Sequence, residues 1–496
     1  MPTEHVDVLI VGAGISGIGA AVHLQKECPS KSYAIFEARD DIGGTWSLFQ
    51  YPGIRSDSDM YTLGFRFKPW TAQKAIADGP TIMTYLRETV AEYKLKDKVR
   101  FGHKIISADW SSEDARWTVQ SSKGVFTCNM LFMCAGYYNY DAGFTPDYPG
   151  RGAYQGIFIH PQHWPKDLDY QGKSVLVIGS GATAVTLVPA MADSGAGHVT
   201  MLQRSPTYMV SRPSIDAFAV TLQKLLPAKL AYMITRWRNV MMQLFTFNLA
   251  RKKPALIRGK LLDAVRAELG PDYDIEKHFT PRYNPWDERL CLVPDSDIFK
   301  AIREGRASIE TDHIDTFTPT GVTLKSGKSI EADIVVSATG LNLKMVAALN
   351  ATVDGAPINF ADKVLYKGIM FDDVPNLAMW FGYTNASWTL KADLTSEYMC
   401  RVINHMDKGG TKIATPRLDE PDMTYEKFVD FSSGYFARAK DILPKQGTAL
   451  PWKLNQNYAK DLLLLRRGSV TNAMEFTGSI KVAASLSADQ MLQAAE

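Results

Sequence analysis

Five cysteines, Cys28, Cys128, Cys134, Cys291 and Cys400, are scattered through 496 residues, and no two form a CxxC pair. An odd, dispersed set argues against a disulfide framework and a structural zinc site, so they read as reduced thiols and no metal is expected. No lysine or arginine precedes Lys26, and a secretory leader needs a basic start. No apolar run approaches the ~20 residues of a membrane-spanning helix. The expectation is a cytoplasmic protein. A net charge of +2 gives no field for a nucleic acid partner. Hydrophobic residues at 46% and charged residues at 22% place the chain among soluble globular proteins, without low-complexity or collagen-like stretches. Its length suits two or three domains.

What the chain does have is a β-α-β opening that occurs twice. Val8–Val11 is an apolar run ending at Gly12, a helical pattern follows from Ser16 to about Gln25, and 32–36 reads as the next strand. Further on, Ser174–Ile178 ends at Gly179, a helix is expected over Ala182–Asp193, and His198–Gln203 is the following strand. Such units imply parallel strands. The fold class is therefore α/β, with two Rossmann-like dinucleotide-binding domains. Between about Tyr208 and Trp286 the texture turns helical, over 217–226, 231–249 and 255–269, which reads as a helical insertion in the second domain. Gly321–Leu324 and 329–338 then resume the strand pattern around a Lys325-Ser326-Gly327 turn. The expected division is a first domain over 1–150, a second over 151–344 with the insertion at about 208–285, and a return to the first domain plus a C-terminal segment over 345–496.

Two glycine fingerprints carry the chemistry. In the first, Gly12-Ala13-Gly14-Ile15-Ser16-Gly17, the glycines permit the tight turn, the approach of backbone to a pyrophosphate and close helix–strand packing. The helix N-terminus then offers free N–H groups to phosphates. Glu37, twenty residues after Gly17, supplies a carboxylate for ribose hydroxyls, which FAD and NAD both carry. The second fingerprint is Gly179-Ser180-Gly181-Ala182-Thr183-Ala184, with alanine in the third glycine's place. Twenty residues after Ala184 stands Arg204 instead of an acid. A carboxylate would repel a 2′-phosphate and a guanidinium grips it in bidentate fashion, so this domain should prefer NADPH. Ser205 adds a hydroxyl.

Gly43-Gly44-Thr45-Trp46 follows the first acidic strand, and Tyr51-Pro52-Gly53-Ile54-Arg55-Ser56-Asp57 comes soon after. Here the chain resembles the class B flavoprotein monooxygenases, in which the N-terminal domain holds FAD. The segment from Tyr154 to Pro165 resembles the Baeyer–Villiger fingerprint FxGxxxHxxxWP: Gly156, His160, Trp164 and Pro165 are in register and Tyr154 replaces the phenylalanine. The blocks 51–63, 283–294 and 382–394 are similar to those of the subgroup that activates thioamide prodrugs. The resemblance implies an NADPH- and O2-dependent enzyme in which a flavin C4a-peroxide converts ketones to esters or lactones, with sulfoxidation as a side activity. It implies FAD contacts at Gly12, Gly14, Ser16, Gly17, Glu37, Gly44, Thr45, Trp46, Ser47, Leu48, Arg55, Ser56, Asp57 and Ile105. It implies NADPH contacts at Gly179, Ser180, Gly181, Ala182, Thr183, Ala184, Arg204 and Ser205. Arg289 matches the family's catalytic arginine and Asp57 its acidic partner. His160 and Trp164 match the residues that order the interdomain linker and gate the reaction. Many relatives carry a lysine immediately before that arginine, and here it is Glu288, so either Arg204 carries the phosphate largely alone or the preference for NADPH over NADH is weakened.

Three other readings are open. A flavin monooxygenase acting on nitrogen or sulfur would use the same cofactors. A pyridine nucleotide–disulfide reductase would need a cysteine pair at the flavin, which is missing. A non-catalytic nucleotide-binding module would leave Arg289 without a role. The insertion adds a question of its own. Nine basic residues and no acidic one lie between Ala217 and Leu262, among large apolar side chains. Such helices suit either packing on the NADPH domain above the substrate pocket or peripheral contact with a membrane surface.

Overall fold

The computed structural model of the protein describes residues 3–288, 290–429 and 433–478. Arg289 lies outside the described residues. The first fingerprint belongs to a nine-stranded sheet. Its centre is Glu4–Val11, parallel to Tyr33–Phe36 on one side and to Gly124–Met133 on the other. These strands are buried on both faces, which is why Val8 to Val11 and Tyr33 to Phe36 read as unbroken apolar runs rather than alternating ones. Asn350–Val353 and Leu377–Met379 join the same sheet from far along the chain.

The second sheet has five strands, all parallel, in the order Ala307–Thr311, His198–Gln203, Ser174–Ile178, Ile334–Ser337, Ile157–Ile159. One expected strand needs correction. Residues 329–338 form two strands, with Ser329–Glu331 in a separate antiparallel sheet and Ile334–Ser337 in the parallel one. The apolar alternation is continuous, but the backbone turns at Ala332 and Asp333, where the Asp333 carboxylate accepts the Ser174 N–H at 2.8 Å. Two chain passes connect the nucleotide-binding halves, and they pair with each other as antiparallel strands, Tyr138–Gly143 and Leu341–Leu343.

The insertion also departs from expectation. It begins with a strand, Met209–Arg212, parallel to Cys291–Pro294. Its helices are Ala217–Leu225, Ala228–Lys252 and Pro254–Leu269. The long middle helix does not pack on the second sheet. Its inner face docks on the first half, where the buried Arg236 donates to the carbonyls of Tyr61 and Gly64 at 2.8 Å each. Arg236 also lies 3.6 Å from Asp393, which faces His23 at 3.3 Å, while His23 meets Glu27 at 2.9 Å. Three helices, Ile15–Glu27, Ala228–Lys252 and Trp388–Gly409, are thus tied by one buried charged cluster. Burial lowers the basicity of His23, yet the hydrogen bonds from Asp393 and Glu27 outweigh it and raise the imidazole to about 9.

Candidate active site

A cavity of about 630 Å³ opens between the halves. From the first fingerprint it is lined by Gly12, Gly14 and Ser16, from the acidic strand by Glu37, and from the following loop by Gly44, Thr45 and Trp46. Arg55, Ser56, Asp57 and Ile105 also line it. From the second fingerprint come Ala182 and Thr183, with Thr186 one turn on.

The glycine geometry follows the same rule in both halves. Gly12 has φ +104 and a Cβ there would sit 2.7 Å from the Cys134 carbonyl oxygen. Gly179 has φ +142 and its Cβ would sit 2.3 Å from the Ala338 oxygen. Each first glycine therefore presses against the strand end that closes its own sheet, at the segments 134–137 and 338–340. At the third position the halves differ. A Cβ on Gly17 would overlap the Gly12 oxygen at 1.9 Å, whereas Ala184 is accommodated and fully buried.

Glu37 is buried, and its carboxylate accepts the N–H of Ala13 at 2.8 Å and of Arg39 at 3.0 Å. Two accepted bonds leave lone pairs for further donors. Ser47 and Leu48 do not line the cavity as expected. The short helix Thr45–Leu48 turns them away: Ser47 Oγ accepts from Arg39 Nη1 at 2.8 Å, and Leu48 packs on the second core. Gly17 is likewise behind the wall, inside the helix–strand contact. Gly179, Ser180, Gly181, Ala184, Arg204 and Ser205 are outside this cavity. Arg204 and Ser205 are exposed at the end of their strand. Glu288 is pushed toward the neutral acid by burial, and the nearby Arg204 pulls the other way.

The loop Tyr51–Ser58 bridges the halves. A Cβ on Gly53 would lie 2.5 Å from the Ala190 Cβ of the second fingerprint helix, and Arg55 forms an ion pair with Asp297. Tyr51 hydrogen-bonds Thr183, and burial holds its phenol well above its ordinary value.

His160 does not face the cavity. Its Nδ1 accepts the Gln162 N–H at 3.1 Å, which leaves the proton on Nε2 to donate to the Gly340 carbonyl at 3.1 Å. The ring fills the space over Gly143, where a Cβ would lie 2.0 Å from it. One imidazole therefore touches both interdomain passes, and burial shifts it toward the neutral form. Trp164 packs, half-buried, on the core of the second sheet. Tyr154, at the motif's phenylalanine position, donates its hydroxyl to the Ala332 carbonyl at 2.8 Å.

Sequence reasoning missed the aromatic wall. Tyr137, Tyr138, Tyr140, Phe381, Trp388 and Phe436 line the cavity. Tyr137 stacks on Trp388 at 5.3 Å, and Trp388 Nε1 donates to Ser16 Oγ at 2.8 Å. The signal available was the Gly136-Tyr137-Tyr138 run directly after a predicted closing strand. Arg39, which lines the cavity, was also missed, although a cation two positions after Glu37 is legible.

Residues 9–235 match the model of the pyridine nucleotide-disulphide oxidoreductase family. No cysteine pair lines the cavity: all five cysteines are free and buried, Cys28 lies beside Cys400 away from it, and only Cys134 is in its wall. The FAD-containing monooxygenase EthA of Mycobacterium tuberculosis is 53% identical over 94% of this chain and 96% of that protein. The probable FAD-binding monooxygenase AlmA of Acinetobacter baylyi is 51% identical over 93% and 94%. Among solved structures, steroid monooxygenase bound to NADP aligns with a TM-score of 0.75 at 19% identity, covering 96% of this chain and all of that one. Cyclohexanone monooxygenase bound to ε-caprolactone aligns with a TM-score of 0.74 at 20% identity, with 96% and 100% covered. The fold is that of the Baeyer–Villiger monooxygenases, and with half of its residues shared along nearly its whole length the chain belongs to the family of FAD-containing monooxygenases that includes EthA.

Proposed function

We propose that this chain is an NADPH- and O2-dependent Baeyer–Villiger monooxygenase that converts a ketone to an ester or lactone, with sulfoxidation as a side activity. The net reaction consumes ketone, O2, NADPH and a proton and yields ester, NADP+ and water. One observation carries the reading: the first fingerprint and Ala182 and Thr183 of the second line the same cavity, which would put a nicotinamide held by one half within reach of a flavin held by the other. Residues 1–150 together with 345–496 form the flavin half in this reading, and 151–344 the NADPH half. The strands 350–353 and 377–379 in the first sheet support it.

The residues present fit FAD. A helix N-terminus at Gly14 faces the cavity for the pyrophosphate. Glu37 keeps free lone pairs for ribose hydroxyls, and Ile105 lines the cavity where the family resemblance puts the adenine. FAD held by these residues would supply the redox chemistry that uses NADPH and dioxygen to deliver one oxygen atom to substrate. Tyr137, Trp388 and their aromatic neighbours exclude water from the reacting end. The family resemblance assigns Arg289, which lies outside the described residues, the fixed positive charge for the oxyanion that develops at the ketone, and Asp57 on the bridging loop the part of its acidic partner. Arg204, at the end of its strand, binds the 2′-phosphate. His160 holds the two interdomain passes in register.

The test is product analysis by mass across a panel of ketones and sulfides, with NADPH and NADH compared. Esters carrying one oxygen atom from 18O2 are expected. Oxygenated sulfides or amines with no ester from any ketone would overturn the proposal in favour of a nitrogen- or sulfur-directed monooxygenase.

A further inference from the structure

The Ala228–Lys252 helix carries two stripes of different character: among the described residues one is buried and the other largely exposed, with Trp237 meeting the Tyr458 ring at 5.9 Å. The inner stripe, with Ala231, Tyr232, Thr235, Asn239 and Val240, is buried against the first half. The other comprises Leu230, Met233, Trp237, Met241 and Phe245, each three or four residues from the next, and every one is exposed. Met241 is 55% exposed and Phe245 63%. Spacing of this kind lines one helix face, and from 230 to 245 it runs roughly 22 Å at 1.5 Å per residue. Leu225 and Phe218 on the preceding helix and Leu256 on the following one are exposed as well.

The charges around this stripe have one sign. No acidic residue occurs between Ala217 and Leu262. Three of the nine basic residues are engaged inward or locally: Arg236 is buried, Arg238 pairs with Asp216 at 2.9 Å and Arg251 with Asp287 at 2.7 Å. Exposed Lys224 and Lys229 lie at one end of the stripe and exposed Lys252 and Lys253 at the other. A helix that rests in a membrane interface has this layout, with apolar side chains entering the acyl boundary and lysines at its ends reaching lipid phosphates.

We propose that the exposed face of the 217–262 helices is a docking surface for an anionic lipid membrane. The helix is too polar on its inner face to cross, and among the described residues no helix is long and apolar enough to do so. On the side away from the stripe, Val240, Leu244 and Phe247 line a small apolar cleft with Ala386 and Leu390, and Ala386 also lines the central cavity. The docked helix therefore stands between the lipid and the reaction chamber. The docking rests on the surface alone.

The experiment uses the flavin-loaded full chain in flotation with phosphatidylglycerol or phosphatidylcholine vesicles, at low and high salt and without turnover. Floating with phosphatidylglycerol, fading with salt, is the expected result. Met241→Ser/Phe245→Ser and, separately, Lys252→Glu/Lys253→Glu should each weaken binding about tenfold or more. Both should keep NADPH oxidation with a water-soluble ketone. If the serine variant loses flavin, the charge reversal at the exposed helix end carries the comparison alone. Protein that stays with the soluble fraction under every condition overturns the proposal. So does sedimentation showing a lipid-free dimer that becomes a monomer in the Met241→Ser/Phe245→Ser variant, because the face would then be covered by a second copy.

Discussion

The two nucleotide-binding halves open with the same β-turn-α device and then part company. In the first, the glycine turn, the acidic strand end and the aromatic wall close around a cavity. In the second, Gly181 faces open space with nothing within 4 Å, and Arg204 and Ser205 lie exposed. In the function proposed above, the first half holds a ligand that stays and the second one that comes and goes. The glycines make the same point. Gly17 has no room for a methyl group and Ala184 already carries one.

The comparison can be broken first at the chemistry. Arg289→Ala is expected to lower ester formation by about 10²–10³-fold, the usual loss for one electrostatic donor to a developing oxyanion. Flavin reduction by NADPH, followed by stopped-flow absorbance, should survive, because hydride transfer between the halves does not use that charge. Normal ester yield would remove Arg289 from the site.

Next come the third positions. Gly17→Ala should cost about 1–3 kcal/mol of overpacking strain and leave a protein with clearly reduced flavin content by absorbance. Ala184→Gly should cost only about 0.5–1 kcal/mol and keep its flavin. Equal flavin content in both variants would erase the difference between the halves.

Cofactor choice sharpens it further. Arg204→Ala is expected to raise KM for NADPH by about 1.5–3 kcal/mol, the scale of hydrogen bonds to a charged group, with KM for NADH nearly unchanged. Glu288→Gln should act in the opposite direction, since it removes a carboxylate close to Arg204. Parallel changes for NADPH and NADH would show that Arg204 does not read the 2′-phosphate.

The smallest effect separates two histidines. The imidazole of His23, raised to about 9 by Asp393 and Glu27 against the opposing effect of burial, contributes stability that is complete below its unfolded value near 6.5 and is lost as pH rises toward 9. His160, lowered mainly by burial, contributes stability present above that same unfolded value and lost as pH falls below it. Denaturation midpoints from acid to alkaline pH should show both slopes, with His23→Gln flattening only the alkaline one and His160→Gln only the acid one. An alkaline slope that persists in His23→Gln would place its source elsewhere.

Local signals in the sequence were enough for the parallel strands at 174–178 and 198–203, the helix at 182–193 and both glycine turns, because periodicity and glycine placement are short-range properties. Glu37 and Arg204 were legible for the same reason, each standing at a fixed offset from its turn. Residues 329–338 read as one strand because their apolar pattern runs on across a corner that Asp333 makes with Ser174, a residue far away in sequence.

The packing of the long helix had to come from tertiary structure. Its inner face mixes Ala231, Tyr232 and Val240 with Thr235, Arg236 and Asn239, and nothing local assigns that face to Met60–Leu63 while leaving the more apolar one exposed. Arg236 shows why: in the sequence it is one of nine basic residues, while in the fold its guanidinium is buried against three carbonyls and Asp393. The aromatic wall depended on the same kind of contact, since Tyr137 and Trp388 stack only after the chain has returned across some 250 residues to the first sheet. The sequence by itself determined the two nucleotide turns and their opposite charges, because the backbone within a few residues dictates them. Which faces are covered and which surfaces enclose the cavity was decided by tertiary structure, because burial is a property of what the rest of the chain brings alongside.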